Sequence, residues 1–368
     1  MYCDEFLDNR LNDRKLQGLY RTLPTSVHPI DFFSNDYLGI ARQKLLSCND
    51  VQQYATGATG SRLLSGNYAL IEEAEKRIAN FHQTPAALIF NSGYDANIGV
   101  LSAIPQKGDT ILYDALSHAS IREGVRLSFA QSFSFRHNEM PHLEERLQQA
   151  KGQIFIVTET VFSMDGDCCP LPDLIVLAQK YGAHLIVDEA HATGIIGKNG
   201  EGLTQYFQLQ EAVFARVHTF GKAIGCQGAV VLGSERLRNY LINFSRPFIY
   251  TTALPPLAIK AIIQSYAIFP EMHAERQVLQ QHIQTFQQAK LPCQKLTSTT
   301  PIQGLVIPGN EQVRRIAENL QKNGLAVRPI LYPTVPKNAE RLRIILHSFN
   351  TAEQLHQLLQ LLIFTQNQ

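Results

Sequence analysis

The chain has 368 residues, of which 45% are hydrophobic and 18% charged, so it can bury more than one domain-sized core. Lysine and arginine number 33 against 32 acidic residues, and this balance creates no field that would gather nucleic acid or anionic lipid. The composition therefore predicts a soluble protein of two domains, or of one domain with a lobe, that binds neither nucleic acid nor membrane.

The first residues and the cysteines predict a cytoplasmic protein. "MYCDEFLDNR" carries acids where a secretory signal would be basic and then apolar, and no apolar run approaches the ~20 residues of a membrane span. The 6 cysteines lack metal-ligand spacing, and the adjacent Cys168 and Cys169 are badly placed for an ordinary disulfide. We expect reduced thiols and no metal site.

Short apolar runs alternate with longer mixed segments from about residue 70 to 235. In chain order they are "AALIFNSG", "DTILYD", "SFSFRHN", "QIFIVTETVFS", "HLIVDEAH", "ARVHTFGKA" and "GAVVLG". The stretches between them are helix-like, and "LPDLIVLAQKYG" ends at Gly182, as a helix typically ends at glycine. This alternation predicts a doubly wound α/β domain whose mostly parallel sheet is buried on both faces.

The pattern changes after "RPFIYTTALPPLAIKAI". A Gln-rich helical segment (272–290), "IQGLVIPG", a helix near 311–323 and "RLRIILHS" predict a smaller α+β domain. The predicted organisation is an N-terminal arm (1–45), a large domain (46–245) and a small C-terminal domain (246–368).

"HLIVDEAHATGIIG" allows two interpretations. Asp188 and Glu189 could hold Mg²⁺ in a nucleotide hydrolase of the DEAH type, or Asp188 could end a core strand and serve an organic ligand. A hydrolase of that type also needs a phosphate loop G-x-x-x-x-G-K-[ST], which the sequence lacks. The absent loop favours the second interpretation.

Lys222 in "HTFGKAIGCQG" follows a predicted strand and is flanked by glycines. A lysine on such a turn can form a Schiff base with pyridoxal phosphate, whose pyridine nitrogen needs an acid as partner. Asp188, at the carboxyl edge of the predicted sheet, is the natural acid, because such edges bind ligands. In the alternative, Asp188 merely caps a helix and Lys222 is a solvated turn residue.

Motifs along most of the chain resemble the α-oxoamine synthases, which are pyridoxal 5'-phosphate enzymes of fold type I. Besides "DEAHATGIIG" and "HTFGKAIGCQG", they are "FSNDYLG", "GATGSRLLSGN", "FNSGYDAN", "DALSHASIREG", "ETVFSMDGD", "FIYTTALPP" and "RLRIILHS". The resemblance implies a fold type I transferase. A catalytically silent binding protein of the same fold is disfavoured by the intact set of Lys222, Asp188 and His191.

The resemblance also implies roles for residues around the cofactor ring. Lys222 is the covalent attachment point and later the general base for the substrate Cα proton. Asp188 keeps the pyridine nitrogen protonated, so that charge can flow into the ring. His191 contacts the phenolic oxygen of the cofactor, and His118 stacks on the ring.

For the cofactor phosphate, "NSGYDANIGV" predicts a strand, a glycine turn and a helix whose first N–H groups face an anion. Gly93 lets the backbone approach closely. The resemblance then implies phosphate contacts from the amides of Gly93 and Tyr94 and from the Thr219 hydroxyl. It also implies a cofactor contact from Ser163, and one from Thr252 across a homodimer with a shared active site.

The resemblance assigns the substrate carboxylate to Arg343, since a planar guanidinium binds a carboxylate with two hydrogen bonds. Arg341, on the same predicted strand face, is the rival, and Asn35 is expected to help. A surface salt bridge is the alternative for both arginines.

The family condenses an amino acid with an acyl thioester and releases CO2. "GSRLLSGN" and "IYTTALPP" are most similar to the members that use L-alanine and a pimeloyl thioester in biotin biosynthesis. Glycine with acetyl-CoA, or serine with a long acyl chain, are the alternatives. Coenzyme A and an acyl carrier protein both remain open as the thioester carrier.

Overall fold

The computed structural model describes residues 2–23, 30–46 and 53–364, so that Cys48, one of the predicted thiols, lies outside the described residues. The other five cysteines form no disulfide within the described residues. The strands are β1 Ile30–Asp31, β2 Ala86–Phe90, β3 Thr110–Asp114, β4 Gln131–Phe135, β5 Ile154–Glu159, β6 His184–Asp188, β7 Ala215–Thr219, β8 Ala229–Gly233, β9 Gln294–Lys295, β10 Ile302–Val306, β11 Leu325–Ala326, β12 Arg328–Ile330 and β13 Arg341–Ile345.

The helices alternate with these strands through the first two thirds of the chain. They are α1 Asp8–Leu16, α2 Ala69–Phe81, α3 Gly93–Ala103, α4 Ala119–Leu127, α5 Met140–Leu147, α6 Leu171–Tyr181, α7 Leu203–Tyr206, α8 Glu235–Phe244, α9 Arg246–Ile249, α10 Pro256–Ile268, α11 His273–Gln288, α12 Asn310–Lys322 and α13 Ala352–Phe364. Among the described residues, no helix is long and apolar enough to cross a bilayer.

The large sheet has seven strands in the order β2-β8-β7-β6-β5-β3-β4. In this sheet β8 runs in the direction opposite to the other six strands, which are parallel to one another. The sheet is therefore mostly parallel, as predicted. Strands β2, β6 and β7 are almost wholly buried. Burial on both faces explains their near-continuous apolar sequences.

One strand departs from the expected double-sided burial. Residues Gln131–Ser134 of β4 are exposed, and only Phe135 is buried. The strand lies at the edge of the sheet and pairs with β3 alone, which explains its polar composition. Helix α6 ends as predicted, with Gly182 in the left-handed conformation at φ +62°.

The smaller unit contains a four-stranded antiparallel sheet in the order β12-β13-β10-β9. Helices α11, α12 and α13 carry buried leucine and isoleucine side chains, which join the same hydrophobic core as the strands. The predicted smaller α+β domain is therefore confirmed.

The N-terminal segment is more integrated than an arm. Strand β1 pairs in parallel with β11, and the Ile345 N–H donates to the Phe32 carbonyl at 2.8 Å. Tyr37 and Leu38 are fully buried. Helix α1 has no buried residue, whereas α9 and α10 pack on α3 and α2 of the large unit. The domain boundaries at 45 and 245 stay predictions.

The topology brings chemically useful side chains to one edge of the large sheet. Asp114, Glu159, Asp188 and Thr219 are the last residues of β3, β5, β6 and β7, which all run parallel. Because parallel strands present their carboxyl ends at the same edge, these four residues lie along one edge of the sheet, where such folds bind ligands.

Candidate active site

Asp188 lies at the centre of this edge and is buried. The Asn97 side-chain amide donates to one carboxylate oxygen at 2.7 Å, and the Ala190 N–H donates to the other at 2.8 Å. Residues 190–195 form turns and no helix, so the alternative in which Asp188 caps a helix is wrong. The carboxylate is fixed in position by donors from α3 and from its own turn.

Glu189, its neighbour, faces the other way and is fully buried. Its carboxylate accepts from the N–H and hydroxyl groups of Thr204, from the Leu203 N–H at 2.9 Å and from the Thr160 hydroxyl at 2.9 Å. This residue fixes the start of α7 and has no free side for a metal ion. The interpretation as a Mg²⁺-binding DEAH motif is therefore wrong.

Lys222 follows β7 by three residues and is partly buried, so it is no solvated turn residue. Burial lowers the pKa of its amine, an effect that the negative charges of Asp188 and Glu159 only partly offset, and the Arg343 guanidinium lowers it further. A lysine with a lowered pKa carries more neutral amine at neutral pH. It is therefore a better nucleophile and base than an exposed lysine.

His191 is buried beside a residue that the sequence analysis did not single out. Its Nδ1 lies 2.6 Å from the hydroxyl of Tyr37, which also donates to Asn35 Oδ1 at 3.2 Å. Burial and the Lys222 charge hold the pKa of His191 well below its usual value, so the ring is neutral. Tyr37 stands in the quoted motif "FSNDYLG", two residues after Asn35, and could have been considered on that ground.

His118 is exposed at the start of α4, so its ring is available for a stacking contact. Its Nδ1 accepts from the Ser120 N–H at 3.2 Å, and its backbone N–H donates to Glu159 Oε1 at 2.6 Å. Partial desolvation of the imidazole and the Lys222 charge lower the pKa of His118, while the Asp188 charge opposes this lowering.

Glu159 is a second acid that the sequence analysis missed. It lies directly beside Asp188 in the parallel register of β5 and β6. Burial and the Asp188 charge raise the pKa of Glu159 to about 8, against the lowering effect of the His118 N–H bond. The available signal was its position, since both acids end neighbouring strands.

Helix α3 begins at Gly93 against the end of β7. The Ser92 hydroxyl caps the helix by accepting from the Asp95 N–H at 3.0 Å, and the N–H groups of Gly93 and Tyr94 belong to the first turn. A Cβ at position 93 would lie 3.4 Å from the Thr219 hydroxyl and fill the space between them. Helix amides, a hydroxyl and this gap form a cradle suited to a phosphate group.

The structure separates the two candidate arginines on β13. Arg341 forms an ion pair with Asp165, so its charge is already matched. Arg343 donates to the Ser163 carbonyl at 2.6 Å and to Asn35 Oδ1 at 3.1 Å, and no carboxylate pairs with it within the described part of the chain. These contacts favour Arg343 for a substrate carboxylate. Ser163 enters this arrangement through its carbonyl oxygen.

Thr252 is exposed. Its carbonyl accepts from the Asn91 side-chain amide at 2.7 Å, and the Thr251 hydroxyl accepts from the same amide at 3.1 Å. Thr252 thus lies near the start of α3 in its own chain. Its role toward a neighbouring subunit stays a prediction.

Taken together, the groups at this edge fit pyridoxal phosphate. The cradle at Gly93 suits its phosphate, the fixed Asp188 carboxylate suits its ring nitrogen, and the Lys222 amine suits its aldehyde. His191 and Tyr37 supply hydrogen-bonding groups for the oxygen on the ring.

The chain matches the family model described as aminotransferase class I and II over residues 27–362. It is 40% identical to a putative 8-amino-7-oxononanoate synthase of Bacillus licheniformis, with 98% of this chain and 97% of that protein covered. It is 42% identical to the 8-amino-7-oxononanoate synthase of Lysinibacillus sphaericus, with 88% and 85% covered.

Two solved structures show the same fold. The 8-amino-7-oxononanoate synthase of Francisella tularensis matches with a TM-score of 0.79 and 32% identity, covering 92% of this chain and 98% of that chain. A serine palmitoyltransferase of S. paucimobilis, with a bound pyridoxal phosphate–myriocin adduct, matches with a TM-score of 0.88 and 25% identity, covering 99% and 97%. The chain therefore belongs to the aminotransferase class I and II family and, within it, to the α-oxoamine synthases.

Proposed function

We propose that the chain is a cytoplasmic, pyridoxal 5'-phosphate-dependent acyltransferase that condenses L-alanine with a pimeloyl thioester, releasing CO2 and forming 8-amino-7-oxononanoate for biotin biosynthesis. The observation that carries the proposal is the assembly of Lys222, Asp188, His191 and Arg343 at one sheet edge, in a chain with 40% and 42% identity to proteins of that name.

The residues that would hold the cofactor divide between its ring and its phosphate. Asp188, His191, His118 and Lys222 would face the ring. Main-chain amides of Gly93 and Tyr94 and the hydroxyl of Thr219 would bind the phosphate, with a contact from Ser163 and with Thr252 contributed by the second subunit of a homodimer. When bound, the cofactor supplies an electron sink for the charge that develops at the amino-acid Cα.

Asp188 supports that sink because a fixed negative charge stabilises a proton on the ring nitrogen. Its two hydrogen bonds, from Asn97 and Ala190, hold the carboxylate in place, so no reorganisation is needed when charge develops. A carboxylate held in this way stabilises the ring proton more strongly than a mobile carboxylate in the same pocket would.

Lys222 moves the proton at the substrate Cα. Its amine has a lowered pKa, so a larger fraction of it is neutral and able to accept that proton and later return it. The adjacent charge of Asp188 then stabilises the ammonium that results.

Arg343 and Asn35 orient the amino acid. The guanidinium lies against Asn35 Oδ1 and the Ser163 carbonyl, and its unmatched charge is available to the substrate carboxylate. Binding the carboxylate at this point positions Cα relative to Lys222. This lowers the entropic cost of bringing the two reacting groups together.

The preferred amino acid and acyl donor distinguish this function from the other activities found in the family. With purified holoenzyme, we expect the highest kcat/KM for L-alanine among alanine, glycine and serine, and for pimeloyl among acetyl, pimeloyl and palmitoyl thioesters. Each acyl group should be offered both on coenzyme A and on an acyl carrier protein, and the product identified by mass spectrometry. A preference for glycine with acetyl-CoA, or for serine with palmitoyl-CoA, would contradict the proposal.

A further inference from the structure

A histidine lies between two carboxylates behind the candidate site. His137 Nδ1 is 3.0 Å from Asp114 Oδ1, and its Nε2 is 2.8 Å from Asp167 Oδ2. Since an ionised carboxylate only accepts hydrogen bonds, both ring nitrogens must donate, which requires an imidazolium. The ring also packs edge-on against Phe162, with centroids 4.4 Å apart. These contacts hold the ring in one orientation.

Asp114 directly precedes the loop that carries His118, and Asp167 lies in the loop that carries Ser163. Asp114 ends β3 and accepts from the Leu116 N–H at 2.7 Å, which turns the chain toward His118. Asp167 lies in the loop that begins at Ser163. We call residues 163–167 the serine loop.

The residue after His137 repeats the connection. The Asn138 N–H donates to Asp114 Oδ2 at 2.9 Å, and its side-chain amide donates to Asp167 Oδ2 at 2.9 Å. The His137 imidazolium and the Asn138 amides therefore both join the end of β3 to the serine loop.

The serine loop in turn contacts β13. Arg343 donates to the Ser163 carbonyl at 2.6 Å, and Asp165 pairs with Arg341 two residues earlier on the strand. The Gly166 carbonyl accepts from the Ser298 hydroxyl at 2.8 Å. The serine loop is therefore held between His137 on one side and the smaller domain on the other.

We infer that His137 is a positioning residue: its bridge between Asp114 and Asp167 fixes the serine loop, and through the Ser163 carbonyl it fixes the Arg343 guanidinium for the amino-acid carboxylate. This inference rests on the proposed function insofar as Arg343 binds that carboxylate. Small displacements matter here, because a shift of about 1 Å in a positioning group can cost roughly 100-fold in rate.

The test compares His137→Gln, which removes the charge, with His356→Gln on the exposed face of α13 as the matched control. We expect KM for L-alanine to rise on the order of 10-fold or more in His137→Gln, with KM for the acyl thioester nearly unchanged. The control variant should match the wild type. An unchanged alanine KM together with a lowered thermal midpoint would overturn the inference, because it would show a purely structural role.

Amide hydrogen exchange of the holoenzyme provides a readout that does not depend on turnover. Exchange should increase both in residues 114–118 and in residues 163–168 of His137→Gln, and an increase confined to one of these segments would contradict a bridge. If wild-type protein fails to use alanine, the proposed function fails while this measurement still tests the bridge.

Asp167→Asn is the second variant, in case His137→Gln does not fold. Asp167 is partly exposed, and Asp114 still pairs with His137 in this variant. The same selective rise in alanine KM is expected, with a smaller amplitude. Wild-type alanine KM in a folded Asp167→Asn enzyme would contradict the inference.

Discussion

The hydroxyl of Tyr37 lies 2.6 Å from Nδ1 of His191, although the two residues are 154 positions apart in the sequence. Both side chains are buried. The contact connects the N-terminal segment to the centre of the candidate site, and it engages one of the two ring nitrogens of His191. With Nδ1 engaged, Nε2 is the nitrogen that remains for the cofactor oxygen.

Replacing Tyr37 by phenylalanine tests this contact. The variant leaves His191 Nδ1 buried without a partner, so the tautomer and orientation of the ring are no longer fixed, and kcat/KM for L-alanine should fall roughly 10-fold. Tyr181→Phe, which removes a surface hydroxyl bonded to Glu144, is the matched control and should behave as wild type. Equal steady-state kinetics in Tyr37→Phe and the control would show that the contact plays no part in catalysis.

Lys222 should be the site of covalent cofactor attachment. Borohydride treatment of the yellow holoenzyme should fix a pyridoxyl group on Lys222, because its lowered pKa favours the reactive neutral amine. Peptide mapping by mass spectrometry locates the group. Lys222→Ala should retain no label and no turnover, while Lys198→Ala, at an exposed position, keeps both; label on another lysine in the wild type would end the assignment.

Asp188→Asn should fold and bind cofactor but lose most turnover, roughly 100-fold or more in kcat. An amide supplies no charge for the ring nitrogen. Its NH2 group would also face one of the donors that Asp188 now accepts from, either Asn97 or Ala190. Steady-state kinetics and the visible spectrum measure both effects, with the exposed Asp173→Asn as control. Near-normal kcat would remove Asp188 from the mechanism.

The imidazolium of His137 predicts a pH-dependent stability. Burial alone would lower its pKa, but the hydrogen bonds and charges of Asp114 and Asp167 outweigh burial and raise the pKa from 6.5 to about 10. A raised folded-state pKa means that the stabilisation is complete below about 6.5 and is lost as the pH rises through about 10.

The difference in unfolding free energy between wild type and His137→Gln, measured by urea denaturation, should therefore be largest at pH 6 to 7 and shrink toward pH 10. Taking the difference cancels the titration of the groups that both proteins share. A difference that grows with pH across this window would mean that the histidine is neutral in the folded protein.

Mixed dimers test whether Thr252 serves a neighbouring subunit. In a dimer of one Lys222→Ala chain and one Thr252→Val chain, a shared site places both defects in one active site and leaves the other intact. Activity per dimer should then return to about half of wild type. If Thr252 serves its own chain, near Asn91, activity stays at the level of the weakened site.

The sequence was sufficient to predict the elements that carry the chemistry. Strand ends and glycine turns are local patterns, and they predicted the positions of Asp188, Lys222 and Gly93. Arg341 and Arg343 could not be separated in this way, because residues two apart on a strand share a face. Only the tertiary ion pair between Arg341 and Asp165 distinguishes them.

The residues that the sequence analysis missed act through distant partners. Local signals existed for Glu159 and Tyr37, but the contacts of these residues and of Asn97 are visible only once β5, α3 and the N-terminal segment are placed against β6 and its following turn. Strand β4 was predicted from "SFSFRHN", but its exposed position at the sheet edge was not, since a strand's position in the sheet order is set by topology.

The two acids of the DEAH tetrapeptide differ in their capacity to accept new partners. A carboxylate offers about four lone-pair directions. In Glu189 all four are taken by donors from Thr160, Leu203 and Thr204, whereas Asp188 receives two donors from the part of the chain that the structure describes. Lone-pair occupancy therefore distinguishes a scaffold acid from a reactive one where the letters alone cannot, and the same count can be applied to any chain in which this tetrapeptide occurs without a phosphate loop.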